Sequence, residues 1–191
     1  MLNFKNYTNV TNIYIPNSVN IDPDLTSRFS GMTNLINCTI PMNNVTSMYN
    51  AYNGCTNLTT AVCGDNVINM AYAYNGCQNL TTAVCGDNVT NMAYAYKNCR
   101  NIQGNTYFYS NNISNVKSCF YNRNTSNMLN IYVPSGSTTL TRCLYTNTYS
   151  LVGAAITWTN DTANNRYYNA TRNIYIYPVD NVAAAREANG D

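Results

Sequence analysis

Cysteine is the residue type in this chain with the chemistry to hold a metal, form a disulfide or act as a nucleophile. The stretch NGCTNLTTAVCGDNV at 53–67 returns as NGCQNLTTAVCGDNV at 75–89, so Cys55, Cys63, Cys77 and Cys85 recur in pairs. The spacings are 8 from Cys55 to Cys63 and 14 from Cys63 to Cys77. Zinc ligands come in pairs two to four residues apart, which is not the pattern here. The spacings together make 22, the interval between the copies, so Cys55, Cys77 and Cys99 form one column and Cys63 and Cys85 another. Cysteines on neighbouring rungs are close enough for a disulfide. Side chains pointing the same way, however, give a poor Cβ–S–S–Cβ torsion. The columns favour buried thiols, small apolar residues in a core, over a disulfide or a metal site.

The remaining catalytic constellations are missing. The chain has no histidine, which excludes Ser-His-Asp and Cys-His nucleophiles and His-ligated metals. No paired acids and no phosphate loop stand out. Asp65 and Asp87 make a short column, but two carboxylates fall short of the six to eight oxygens calcium prefers. These absences point to a non-enzymatic protein with no cofactor.

Composition narrows the partners. Only 9% of residues are charged and the net charge is +2, against about 25% charged in ordinary domains. There is no electrostatic footprint for nucleic acid. No apolar run approaches the ~18 residues that would insert in a membrane. Polarity comes from Asn, Thr, Ser and Tyr, with Asn roughly a fifth of the chain. Lys97, Arg100, Lys117 and Arg123 cluster, as scattered solubilising charge or as a contact for an acidic partner. The start, MLNFKNYTNV, does not read as a secretory signal. The expectation is a chain kept in a cytosol, or a piece of a longer exported protein.

The elements that position these residues follow from the repeat. Leu58, Ala61, Cys63 and Gly64 are matched 22 residues on by Leu80, Ala83, Cys85 and Gly86. The frame extends to Leu35–Cys38–Ile40, Val10–Ile13–Ile15, Ile102–Asn105–Tyr107 and Met128–Ile131–Val133, six rungs in all. The alternation at the end of each rung predicts a short strand with one buried face. Its outward residues are then Asn12 and Tyr14, Asn37 and Thr39, Thr60 and Val62, Thr82 and Val84, Gly104 and Thr106, and Asn130 and Tyr132. Between strands, Val67, Met70, Ala73, Tyr74 and Cys77 follow a helical spacing that also occurs from Val45 and from Val89. Asn44, Asn66, Asn88 and Asn112 are placed to cap these helices. Gly54, Gly76, Asn98 and Asn122 fall where a left-handed residue would end them. Units of this kind bury their faces only by stacking, with parallel strands on one wall and short helices on the other.

The ends depart from the pattern. Phe4, Val10 and Ile13 cap the first rung. Ser137 is placed to start a helix carrying Leu140, Cys143 and Leu144. LVGAAITWT (151–159) and RNIYIYPV (172–179) read as strands, and VAAAREANGD as a short helix or a disordered end.

This frame resembles the BspA-like leucine-rich repeats of bacterial surface proteins, bacteriophages and some protists. Their repeat runs Val-x-x-Met-x-x-x-Phe-x-x-Cys-x-x-Leu-x-x-Ile-x-Ile-Pro. Val67, Met70, Tyr74, Cys77, Leu80, Ala83 and Cys85 fall on it, with Tyr for Phe. Phe29 and Phe120 hold the aromatic position in two other units. The likeness covers roughly residues 8–145. Ala and Cys replace Ile in the middle rungs, and Asn105 takes an inward place, which implies a thinner core there. The expected fold is an α/β repeat solenoid with a leucine-rich-repeat-like parallel sheet, short helices on the opposite wall, and a small C-terminal β cap. Residues 1–145 would form the solenoid with its N-terminal cap, and residues 146–191 the β cap and tail.

The resemblance implies adhesion or protein binding and defines no catalytic residues. The expected role is a recognition or structural module of a bacteriophage virion or tail fibre. The alternative is a bacterial cell-surface adhesin. In either case the partner would be a cell-surface protein or glycan, with a homo-oligomer or virion partner proteins left open. The tyrosines at Tyr52, Tyr74 and Tyr96 read as core. The candidate binding surface is the outer strand face, with Tyr14, Thr39, Thr60, Val62, Thr82, Val84, Thr106 and Tyr132. Tyr plus Asn suits uncharged recognition, and a merely solvated amide-rich surface is the competing reading.

Overall fold

Apolar residues recurring every 22 to 24 positions can be buried only if successive rungs lie on top of one another. The structure, a computed structural model describing residues 3–191, stacks them. Parallel bridges join Asp24 to Ser47, Ser47 to Asn69, Asn69 to Asn91 and Asn91 to Asn115, running one column down five rungs. Val45, Met48, Ala51, Tyr52, Cys55 and Leu58 are buried, as are their counterparts from Val67 to Leu80 and from Val89 to Ile102. One core runs the length of the stack, between a strand wall and a turn wall.

The turn wall is not helical, contrary to the expectation from spacing. Its amides divide their bonds. Those of Met70, Tyr72, Tyr74 and Gly76 donate forward to the carbonyls of Asn91, Ala93, Ala95 and Lys97 in the next rung, at 2.8–3.0 Å. Those of Ala73, Asn75 and Cys77 close four-residue turns onto Met70, Tyr72 and Tyr74. The amide of Ala71 is taken by the side chain of Asn69 at 3.0 Å. The next rung repeats the scheme from Met92 to Asn98, and the preceding ones from Met48 to Gly54 and from Leu25 to Gly31. Each rung therefore carries two left-handed residues four apart. Asn50 pairs with Gly54, Tyr72 with Gly76, Tyr94 with Asn98 and Ser118 with Asn122, at φ of 54–80°. Positive φ at the third residue of a turn is the type II arrangement. The apolar residues at i, i+3 and i+7 lie on a chain of overlapping turns that imitates a helical stripe. Asn66 and Asn88 do not cap helices; their side-chain amides donate to the carbonyls of Asn43 and Asp65 one rung back.

The strand wall is interrupted. β1 (Asn12–Tyr14) pairs in parallel with β2 (Asn37–Thr39). β3 (Gly104–Tyr107) pairs in parallel with β4 (Leu129–Pro134). Between them, residues 60–63 and 82–85 form no strand. The tyrosine column explains the gap. The Tyr74 hydroxyl donates to the Val62 carbonyl at 2.5 Å and accepts from the Val62 amide at 2.8 Å. Tyr96 does the same to Val84 at 2.8 and 2.9 Å. Each hydroxyl occupies both groups that a neighbouring strand would use. The small side chains of Ala61 and Ala83 are the inward residues beside it, where the family frame has Ile. The middle of the stack is thus narrower in aliphatic terms but filled by the ring that replaces Phe. Rings Phe4, Phe29, Tyr52, Tyr74, Tyr96 and Phe120 stack in one file with centroids 5.0–5.9 Å apart.

Asparagine has a structural task in this stack. Side-chain amides run from Asn122 to Asn98, to Asn75 and to Asn53 at 3.0–3.3 Å, an amide ladder like those of stacked β assemblies. Gly64 and Gly86 serve close approach: a Cβ on either would meet a backbone carbonyl of the preceding rung, Met42 or Gly64, at 2.5–2.6 Å.

Past β4 the chain makes α1 (Thr138–Cys143), begun by Ser137, whose hydroxyl accepts from the Leu140 amide at 3.0 Å. β5 (Thr159–Asp161), β6 (Arg166–Asn169) and β7 (Ile174–Val179) follow, and β7 pairs in parallel with β4. The resulting sheet has the order β3-β4-β7-β6-β5, with β5–β6 and β6–β7 antiparallel. The strand expected over 151–159 is largely turns, and only its last residue enters β5. The tail ends in α2 (Val182–Ala188). Arg123, grouped by sequence with the surface cations, is buried. Its guanidinium donates to the carbonyls of Asn124, Asn127 and Arg172 at 2.5–3.0 Å, tying the last rung to the segment before β7. Burial lowers its pKa to about 10.

The hydroxyl–backbone pairing predicts an unequal response along the tyrosine file. Tyr74→Phe removes both hydrogen bonds to the half-buried Val62 and is expected to cost about 1–3 kcal/mol in urea unfolding. Tyr52, whose hydroxyl meets only the Cys38 sulfur at 3.5 Å, is expected to lose less as Tyr52→Phe. Equal losses at the two positions would contradict this account.

Candidate functional site

The cysteines are not a reactive centre. All eight are free thiols, seven buried and Cys63 half-buried. Cys55, Cys77 and Cys99 each donate to the carbonyl of the aromatic residue one rung back, Phe29, Tyr52 or Tyr74, at 2.9–3.1 Å. Burial pushes Cys55, Cys63 and Cys99 up to about 12, so the nucleophilic thiolate does not form near neutrality. Among the described residues no group of three or more His, Cys, Asp or Glu is placed to hold a metal.

The broken strand wall instead leaves a groove of about 810 Å³ on the outer face. Its floor is Val62, Thr82 and Val84; Asp65 and Asp87 stand at one rim; Tyr107, Tyr109 and Arg186 close the far side. α2 sits beside it because the tail is tied to β3. The Asp191 carboxylate accepts from Asn105 at 2.8 Å and from the Tyr107 hydroxyl at 2.7 Å. Asn189 donates to the same hydroxyl at 3.0 Å and Arg186 to Tyr109 at 3.4 Å. These bonds hold the Asp191 carboxyl below its usual range, Tyr107 first among the causes.

Of the residues expected on the outer face, Tyr14, Thr39, Thr60 and Thr82 are exposed, Tyr14 at 75%. Val62 and Val84 are half-buried on the groove floor. The hydroxyls of Thr39, Thr60 and Thr82 have no partner among the described residues. Tyr132 is half-buried, stacked between Tyr107 and Tyr177 at 5.0 and 4.9 Å. Tyr14 and Thr39 lie on the β1–β2 segment, away from the groove.

Thr106 is the exception: it is fully buried, paired with Ile131 in the ladder, while Asn105 and Tyr107 face outward. The fifth rung is one residue longer between its anchor and its inward strand residue, from Ile102 to Thr106 rather than from Leu80 to Ala83. The extra residue is absorbed at Gly104, with φ of +71°. In the sixth rung the inward anchor is Leu129, not Met128, two residues before the inward Ile131; Met128 is 50% exposed. Asn105, read as inward, is thereby freed to hold the tail. Sequence reasoning also missed Arg186 and Asp191, whose packing against β3 has no periodic signature.

The family comparison agrees with this architecture. The model for the BspA type leucine-rich repeat region matches six copies, over residues 2–103, 25–152 and 68–175. The chain belongs to the BspA type leucine-rich repeat family. No curated protein and no solved structure is matched by it. Membership supports a recognition module that binds other proteins or surfaces, of a kind that is typically non-enzymatic. No helix among the described residues is long and apolar enough to cross a membrane.

Two measurements check this site. Thiol titration of the native protein is expected to find at most Cys63 reacting readily, and in denaturant all eight thiols, with or without reductant; fewer without reductant would mean a disulfide. Thr106→Val is expected to hold or raise stability, by up to about 1 kcal/mol, since the buried hydroxyl oxygen has no partner. A clear loss of stability would mean that the Thr106 hydroxyl has a hydrogen-bond partner in the core.

Proposed function

We propose that this chain is a non-enzymatic recognition module of a bacteriophage virion, part of a tail fibre or tail tip, which binds a glycan or protein of the host cell surface through the outer-face groove. The observation that carries the reading is the groove floor itself. It offers the unpartnered Thr82 hydroxyl beside the apolar Val62 and Val84 and the ring of Tyr107, with the Asp65 and Asp87 carboxylates placed to accept from ligand hydroxyls. That combination suits a neutral, hydroxyl-rich ligand, which hydrogen bonds position and apolar contact desolvates. Weak contacts of this kind reach useful strength when several copies engage one surface at once, as in a fibre. Residues 146–191 act, in this reading, as a β cap that closes the stack and carries one wall of the groove.

Thr82→Arg combined with Val84→Arg fills the groove with charge from exposed and half-buried positions. The variant is expected to keep the melting temperature of the parent within a few degrees and to lose at least tenfold in attachment of labelled protein to host cells. Undiminished attachment would remove the groove as the binding site. An antibody to the chain is expected to label purified phage particles. Recovery of the chain in a bacterial envelope fraction instead would favour the adhesin reading.

A further inference from the structure

The turn wall carries a second feature that the groove does not use. Five tyrosines, Tyr49, Tyr72, Tyr94, Tyr121 and Tyr149, run along it in succession. Tyr49 meets Tyr72 edge-on at 6.0 Å, and Tyr72 stacks on Tyr94 at 4.6 Å. Tyr49, Tyr121 and Tyr149 are 41–56% exposed. Two ammonium groups lie over these rings: Lys97 is 5.5 Å from both Tyr94 and Tyr121, and Lys117 is 4.7 Å from Tyr149 and 5.8 Å from Tyr94. Ring faces hold the cations in place without neutralising them. No Asp or Glu occurs within 67–77, 89–99, 113–122 or 144–150, so nothing on this stretch of wall balances the two charges.

Backbone geometry argues that the tyrosines are not there for the fold. Tyr72 and Tyr94 both sit at φ of +59°, a region that bulky residues avoid and Asn or Gly tolerates. In the other rungs the same position is Ser27, Asn50 or Ser118, at φ of 54–58°. The turn therefore accepts a small polar residue, and two rungs carry a strained aromatic in its place. Strain held at a surface position is a mark of function rather than packing.

We propose that this strip binds an acidic polysaccharide, a polymer of carboxylated sugars such as uronates or sialates. The exposed parts of the tyrosine rings would meet the apolar faces of successive sugar rings, and Lys97 and Lys117 would pair with their carboxylates. A repeating ligand fits a repeating strip. The strip shares no residue with the groove, so the two sites stand or fall separately.

Calorimetry with polygalacturonate, alginate and polysialate tests this, with fully methyl-esterified polygalacturonate and polyglutamate as comparisons. At least one of the three acidic polymers is expected to bind, more weakly as salt is raised, and the ester and polyglutamate at least tenfold more weakly than it. Lys97→Gln with Lys117→Gln is expected to reduce that binding at least tenfold. Tyr94→Asn should reduce it similarly while leaving the melting temperature equal or higher, because Asn suits the left-handed turn. The proposal is overturned if none of the three polymers binds, if the ester binds equally, if polyglutamate binds as tightly, or if either variant binds as the parent does.

Discussion

The alternation of amide bonds on the turn wall is the constraint from which the rest of the molecule follows. Every second N–H donates to the rung ahead and the ones between close their own turns. No backbone donor from Met70 to Cys77 is left over once Asn69 has taken the amide of Ala71. A buried, unpaired amide is expensive, so this scheme fixes the stacking interval and the stagger of each rung on the next. It also dictates residue types. Two positions per rung must be left-handed, which selects Gly, Asn and Ser. The residue facing the core between them can then be large, and there the aromatic file stands.

That file and the strand wall are adjusted to one another. At Tyr74 and Tyr96 the hydroxyl takes the amide and carbonyl of Val62 or Val84, and the inward residues beside it shrink to Ala61 and Ala83. The segment then pairs only through the single bridge of Cys85 to Phe108, and the sheet divides into β1–β2 on one side and β3–β4 with β5, β6 and β7 on the other. Two substitutions that each weaken an ordinary solenoid together make a local structure with its polar groups satisfied. The groove is the consequence on the outside.

Much of this was legible from the residues. The columns of Leu58 and Leu80, of Cys55, Cys77 and Cys99, and of Tyr52, Tyr74 and Tyr96 are buried where the 22-residue period puts them. The helix reading failed because a chain of overlapping turns spaces its inward residues at three and four as a helix does. The distinguishing signal was present in residues tolerant of positive φ recurring four apart, Asn50 with Gly54 and Ser118 with Asn122, twice per rung where one helix end needs a single such residue. The inversion of Thr106 was not legible. One inserted residue flips every side chain of a strand, and Asn105 and Thr106 are both polar, so no hydrophobic pattern marks the register. The contacts of Asp191 and Arg186 with β3 were equally hidden, since pairings across some eighty residues leave no trace in local sequence.

The repeats also separate what folding requires from what it leaves open. Inward columns barely vary between the copies at 53–67 and 75–89, and the amide ladder of Asn53, Asn75, Asn98 and Asn122 continues beyond them. Any residue that departs from its column's structural preference without gaining a contact in the core is a departure the fold does not explain. Tyr72 and Tyr94 at a turn position suited to Asn are of that kind. Ala61 and Ala83 are not, because the tyrosine hydroxyls account for them. A stack of near-identical rungs supplies its own reference state: each position can be judged against its equivalents above and below, in the same backbone conformation. By that comparison the strained tyrosines of the turn wall stand out more sharply than the cysteines, whose types and spacing first suggested chemistry.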